Sequence, residues 1–263
     1  MKRLLPFLLF LLPFVAQAES LHFPYNPALS PDGKTIYFSY DGDIFTVPAE
    51  GGMAMRFVSL GAIESHPKVS PDGKWVTFAS NIQGNYDIYV VPVKGGQVQR
   101  LTWHEANDYP SGWSADSRNI YFETNRANTR TTYKVAISGG TPKRLFENYF
   151  NTITNVVENP ATGEIYFNES GEAFNFPTRK RYLGDHNINV KSWNPATGEY
   201  KELTSYQGKD TWPMVDREGN LYYVTDQFNQ ESNIAKYSAG SAPKQLTSFD
   251  HSLQYPSISH DGS

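Results

Sequence analysis

Apolar and polar residues alternate along most of this chain in short stretches, and no long segment repeats apolar residues at helical spacing. Residues 65–69, 75–80, 87–93 and 98–102 are the clearest set. β-branched and aromatic residues fit a pleated, half-buried surface, so the pattern predicts four short strands. Ser70-Pro71-Asp72-Gly73 joins the first two. Proline presets φ there, the aspartate side chain bonds nearby backbone, and glycine lifts the steric limit. The turn therefore reads as structural, and its serine and aspartate as non-catalytic. One stretch departs from the alternation: residues 4–15 are almost continuously apolar.

The four-strand unit recurs. SPDGKTIYFS starts at Ser30 and SPDGKWVTFAS at Ser70; eroded copies are SADSRNIYFE at Ser114, NPATGEIYFN at Asn159 and DREGNLYYV at Asp216, and SHDGS closes the chain. The turn residues Gly33, Gly73, Ser117, Gly163, Gly219 and Gly262 are 40, 44, 46, 56 and 43 residues apart. A second interval runs from an apolar residue opening the third strand to one ending the fourth. Ile44 to Phe57, Ile88 to Leu101, Thr132 to Leu145 and Val190 to Leu203 are each 13 residues, and Ile234 to Leu246 is 12. Glycine pairs such as Gly95-Gly96 mark the hairpin between them, where tight turns require positive φ. A period of about 40 to 50 residues with four strands is that of a β-propeller blade.

The expectation is an all-β fold, a β-propeller of four-stranded blades. Five blades span roughly residues 23–59, 64–102, 107–146, 151–204 and 211–247, and 253–263 begin a sixth, so that the full-length protein is expected to be six-bladed and this chain a fragment of it. Blades bury apolar faces against neighbouring blades. The interblade core is expected to hold Ile36, Phe38, Val76, Phe78, Ile120, Phe122, Ile165, Phe167, Leu221 and Tyr223. Composition agrees: 17 Tyr, 16 Phe, 20 Gly and 17 Pro suit strands and turns.

The apolar run has a different reading. Lys2 and Arg3 precede it and Ala16-Gln17-Ala18 follow it, the layout of a signal peptide cleaved after residue 18. It is well short of the roughly 20 residues that span a bilayer, so no membrane span is expected after its removal, and 19–263 form the propeller domain. Removing Lys2 and Arg3 lowers 23 cations to 21 against 27 anions. This acidic balance, with no long basic face, argues against nucleic acid as a partner. There is no cysteine, which excludes disulfides, a lipoprotein anchor and thiolate chemistry.

Candidate chemistry is sparse. The six histidines make no metal-binding spacing, and no G-x-S-x-G elbow occurs. Asp41-Gly42-Asp43 lacks the further ligands of a calcium loop and reads as a hairpin. His66 precedes Pro67 in the slot where other repeats place Tyr109, Trp212 and Tyr255 before proline, so it reads as a repeat position. No catalytic residue, cofactor or metal site is expected. The most divergent feature is the segment between Phe167 and Val190, 23 residues where blade 2 uses 10. Long loops on a rigid ring are where binding accumulates. Phe174, Phe176, Arg179, Lys180 and Arg181 there form an apolar hook beside a basic cluster, a candidate contact for a neighbouring domain or for a peptide carboxylate.

The combination SPDG, apolar strand, D-I-Y, G-G and R-L-T resembles the TolB-type propeller repeat. Residues 179–227, RKRYLGDHNINVKSWNPATGEYKELTSYQGKDTWPMVDREGNLYYVTDQ, resemble the first propeller of tricorn-type serine peptidases. That resemblance implies a noncatalytic propeller, followed in the family by a second propeller, a PDZ-like module and a catalytic domain, none of which lies in this sequence. It implies a role in guiding or filtering peptides within an exported, periplasmic peptidase, with further domains of the same polypeptide as partners. The alternative is a stand-alone TolB-like periplasmic scaffold that binds protein.

Overall fold

A computed structural model describes residues 21–127, 130–147, 152–170, 179, 181–184, 186–260 and 262. The signal-peptide reading therefore lies outside the described residues. Five four-stranded antiparallel sheets follow one another along the chain, each with its strands in sequence order from inside to outside. In blade 2 the strands are Glu64–Val69, Trp75–Ser80, Asp87–Pro92 and Gln99–Arg100. The first three match the sequence pattern to within a residue. The fourth is shorter than the expected 98–102.

The turns explain why these strands begin and end where they do. Ser70 Oγ donates to Asp72 Oδ1 at 2.7 Å and accepts the Trp75 N–H at 3.0 Å, while the Gly73 N–H bonds the Ser70 carbonyl at 2.8 Å. Ser30 with Asp32, and Ser114 with Asp116, repeat the arrangement. The serine hydroxyl is thus consumed as a clamp across the turn. Gly73 holds φ at 68°, in the left-handed region that glycine adopts without penalty. Neighbouring turns are tied together: the Asp72 N–H donates to Ser117 Oγ at 3.0 Å, across to the next blade.

The repeated interval of 12 or 13 residues is a hydrogen bond. The N–H of Leu101 reaches the carbonyl of Ile88 at 2.8 Å, Leu145 reaches Thr132, Leu203 reaches Val190 and Leu246 reaches Ile234. Blade 1 departs from this, because a bulge pairs Ile44 with Val58 instead of Phe57. Asp41 and Gly42, at φ of 49° and 84°, make the tight hairpin between the second and third strands of that blade.

Nine of the ten expected core residues are buried and Ile36 is half-buried; eight of the nine lie in clusters between blades, and Phe38 lies in none of these. Val76 and Phe78 pack against Tyr37 and Ile44 of blade 1, and Ile120 and Phe122 against Ile88 and Leu101 of blade 2. Ile165 and Phe167 meet Tyr121 of blade 3, and Leu221 and Tyr223 meet Tyr166 of blade 4. The second strands of blades 3 and 4 therefore bury both faces, one against the blade before and one against the blade after. Period-two alternation did not reveal the second face, since tyrosine occupies it. Ile36 and Phe38 lie on the face of blade 1 that has no preceding blade.

Among the described residues five blades stand, and a sixth is not shown. Residues 253–260 form no strand but bridge blade 5 to blade 1. The Arg217 N–H donates to the His260 carbonyl at 2.9 Å, the His260 N–H to the Pro31 carbonyl at 3.2 Å, and the Leu29 N–H to Ser257 Oγ at 3.0 Å. No helix among the described residues is long and apolar enough to cross a membrane.

Candidate functional site

The inner strands of all five blades and the bridging segment enclose a central channel of about 620 Å³. Its two ends differ chemically. The residues following the inner strands, Pro31, Pro71, Ala115 and Pro160, line one end beside Glu158. That carboxylate is occupied, accepting the Tyr121 hydroxyl at 2.6 Å and the Ala115 N–H at 3.3 Å. The opposite end, where the inner strands start, is lined by Tyr25, His66, Tyr86, Tyr109, Trp212 and Tyr255. His66 and Tyr86 each lie 5.0 Å from Tyr109 between ring centroids, and Trp212 lies 5.5 Å from Tyr255.

A backbone feature places these rings. In each of four inner strands a bulge interrupts pairing at two adjacent residues, and the first of the two is left-handed: Asn26 at φ 51°, His66 at 54°, Asn155 at 55° and Trp212 at 48°. Tyr255, at 52°, repeats the conformation in the bridging segment. Blade 3 differs, bulging at Ser111, and its Tyr109 is not left-handed. Asparagine tolerates this region, whereas a bulky side chain there is strained by roughly 1–2 kcal/mol. Three of the five left-handed positions carry His, Trp or Tyr where blades 1 and 4 use asparagine. Strain of this kind gathers at functional sites.

Hydrogen bonds from the preceding blade hold two of these positions, Asn155 and Trp212. Asn168 is fully buried, and its Oδ1 accepts the Trp212 N–H at 3.1 Å and Asn155 Nδ2 at 3.1 Å, while its Nδ2 donates to the carbonyls of Asn189 and Asp210, both at 2.9 Å. Glu123 does the same one blade earlier: Oε1 accepts the Asn155 N–H at 2.9 Å, and Oε2 pairs with Arg130 at 2.9 Å. Arg130 in turn lies over the Tyr109 ring at 5.5 Å. Sequence reasoning identified the slot before proline but missed that it faces the channel. The bulky residues at φ-sensitive positions were the available signal.

Ser65 Oγ and His66 Nδ1 are 3.0 Å apart, yet burial, reinforced by Lys68 and Arg130, pushes His66 down to about 3. An imidazole that weak is a poor general base near neutrality. Among the described residues no cluster of His, Asp and Glu is arranged to hold a metal.

Of the loop residues singled out from sequence, Phe174, Phe176 and Lys180 lie outside the described residues. The Arg179 guanidinium lies 3.9 Å from the Tyr182 ring centroid, and neither Arg179 nor Arg181 lines the channel. The insertion is anchored where Asn168 pairs with Thr154 and Val190, at the end of the ring where the inner strands start.

The family model described as the tricorn protease N-terminal beta propeller domain matches residues 23–263. Among solved structures, the tricorn protease superposes with a TM-score of 0.72 at 18% identity, covering 89% of this chain and 23% of that one. A putative TolB from Agrobacterium tumefaciens gives 0.69 at 19% identity, covering 86% and 80%. TolB from Acinetobacter baumannii gives 0.65 at 22%, covering 89% and 56%. At these identities the likeness is one of fold. Among curated proteins, none matches the chain in sequence.

Proposed function

We propose a function from one premise: this chain belongs to the family of tricorn protease N-terminal β-propeller domains. On this reading it is the noncatalytic propeller of a larger, exported serine peptidase, six-bladed at full length. It receives peptides at the aromatic end of its channel and guides or filters them towards a catalytic domain elsewhere in the polypeptide. The observation that carries the reading is the left-handed presentation of His66, Trp212 and Tyr255 at the channel mouth, strained at Trp212 and Tyr255, where asparagine would be cheaper. Aromatic rings supply large contact area at low entropic cost, which suits extended peptides of varied sequence. Export rests on the signal peptide at 1–18 and implies the periplasm. Phe174, Phe176, Arg179, Lys180 and Arg181 would form a second contact, since their loop leaves the ring at the same end as the aromatic mouth.

A TolB-like protein-binding scaffold is the second reading, favoured by the 80% coverage of the A. tumefaciens chain. Both readings need the channel mouth to bind polypeptide. Trp212→Asn tests this, because it installs the residue that blades 1 and 4 use in the same conformation. Removing the strain is expected to hold or raise the melting temperature, and losing the ring to weaken binding of an extended peptide about tenfold. Unchanged affinity in a folded variant would sink the reading.

A further inference from the structure

Lys68 is out of character for its place. It sits on the inner strand of blade 2 opposite Thr77. The matching register positions are Ala28 opposite Tyr37, Gly112 opposite Tyr121, Val157 opposite Tyr166 and Met214 opposite Tyr222. Four blades therefore put a small or apolar residue where blade 2 puts a cation. Lys68 lines the channel two residues beyond His66, between the aromatic mouth and the ring of prolines. Burial depresses its ammonium, and Glu123 partly offsets this.

The charge has no partner of its own. Among the described residues no salt bridge or side-chain hydrogen bond reaches the ammonium. Glu123, the carboxylate that partly offsets the burial of Lys68, is already held by Arg130 and the Asn155 N–H. Neighbouring His66 is neutral. Lys68 is partly exposed, and the surface it exposes faces the channel, so its charge is open to an anion that enters there.

We propose that Lys68 is the acid-recognising group of the channel, taking the side-chain carboxylate of an Asp or Glu in a peptide that enters past His66, Tyr109 and Trp212. A side chain suits the position better than a terminus, because Lys68 is in the channel wall beyond the mouth, near the far end of the inner strand Glu64–Val69, where a passing chain presents its side chains. The inference rests on the peptide-binding reading above and adds a substrate preference to it. A charge-assisted bond of this kind is worth about tenfold or more in affinity.

The test is calorimetric titration of the purified protein with three peptides: acetyl-AAEAA-amide, acetyl-AAQAA-amide and acetyl-AAQAA with a free carboxyl end. The glutamate peptide is expected to bind about tenfold more tightly than the blocked glutamine peptide. Lys68→Met, which copies Met214, is expected to abolish that difference, leave the blocked glutamine peptide unchanged and melt no lower than the parent; Lys68→Gln serves as a second neutral variant. Equal affinities, or a preference that survives both variants, would overturn the proposal and leave the peptide-binding reading standing. A preference for the free terminus alone would overturn it in favour of end recognition. No binding of any peptide would overturn both.

Discussion

Individual side chains in this ring are asked to do costly things, and each cost has a traceable cause. Asp210, at the head of the inner strand of blade 5, is 1% exposed, and burial raises its carboxyl to about 6 although the Thr225 and Thr204 hydroxyls offset part of the effect. The folded value exceeds the ordinary 3.8, so the native state holds the proton more tightly than the unfolded chain does. Stability is intact below about 3.8, falls as pH rises, and is fully diminished above about 6, by roughly 3 kcal/mol. Asp210→Asn should therefore raise the melting temperature more at pH 7.5 than at pH 4.5; an equal shift at both would contradict this assignment. None of it was legible in the sequence, where Asp210 is one acidic residue in a loop-like run. His66 was half-legible: its repeat slot could be read from the following proline, but its left-handed backbone and channel exposure depend on a bulge that pairing alone reveals.

At the scale of strands and turns the sequence was far more informative, because local chemistry decides it. Ser-Pro-Asp-Gly closes on itself through the serine hydroxyl and glycine φ, with no help from distant residues, so every clear copy could be placed. The fixed interval between third and fourth strands survived erosion because it is a backbone hydrogen bond that any residue type can make. The fourth strands were overread: in blade 2 the ladder covers Gln99–Arg100, since the outer edge has a neighbour on one side alone. The second strands were underread, as their tyrosines and threonines hid a second buried face. Phe122 makes the energetic point. It is wholly buried between blades 2 and 3, and Phe122→Ala should cost about 3–5 kcal/mol, visible as a lowered denaturant midpoint. A loss below about 1 kcal/mol, the range of surface changes, would mean the interblade contact is not a close-packed core.

For the whole molecule, each blade stabilises its neighbours, and the channel is a product of the ring rather than of any one repeat. Composition and period foretold the propeller; what they could not foretell was the chemical polarity of its axis, because the residues that line one mouth come from four strands, a loop and the bridging segment, spread over more than two hundred positions. The bridging segment 253–260 ties blade 5 to blade 1 through Ser257 and His260 and carries Tyr255 into the same mouth as Trp212. The central claim is that this mouth receives polypeptide. The most direct measurement is photo-crosslinking of the protein with an extended peptide carrying a central benzophenone, followed by mass-spectrometric mapping. The account predicts saturable adducts on the inner strands around His66, Tyr109 and Trp212, competed by the unlabelled peptide. Adducts confined to the outer strands, or none that saturate, would contradict it.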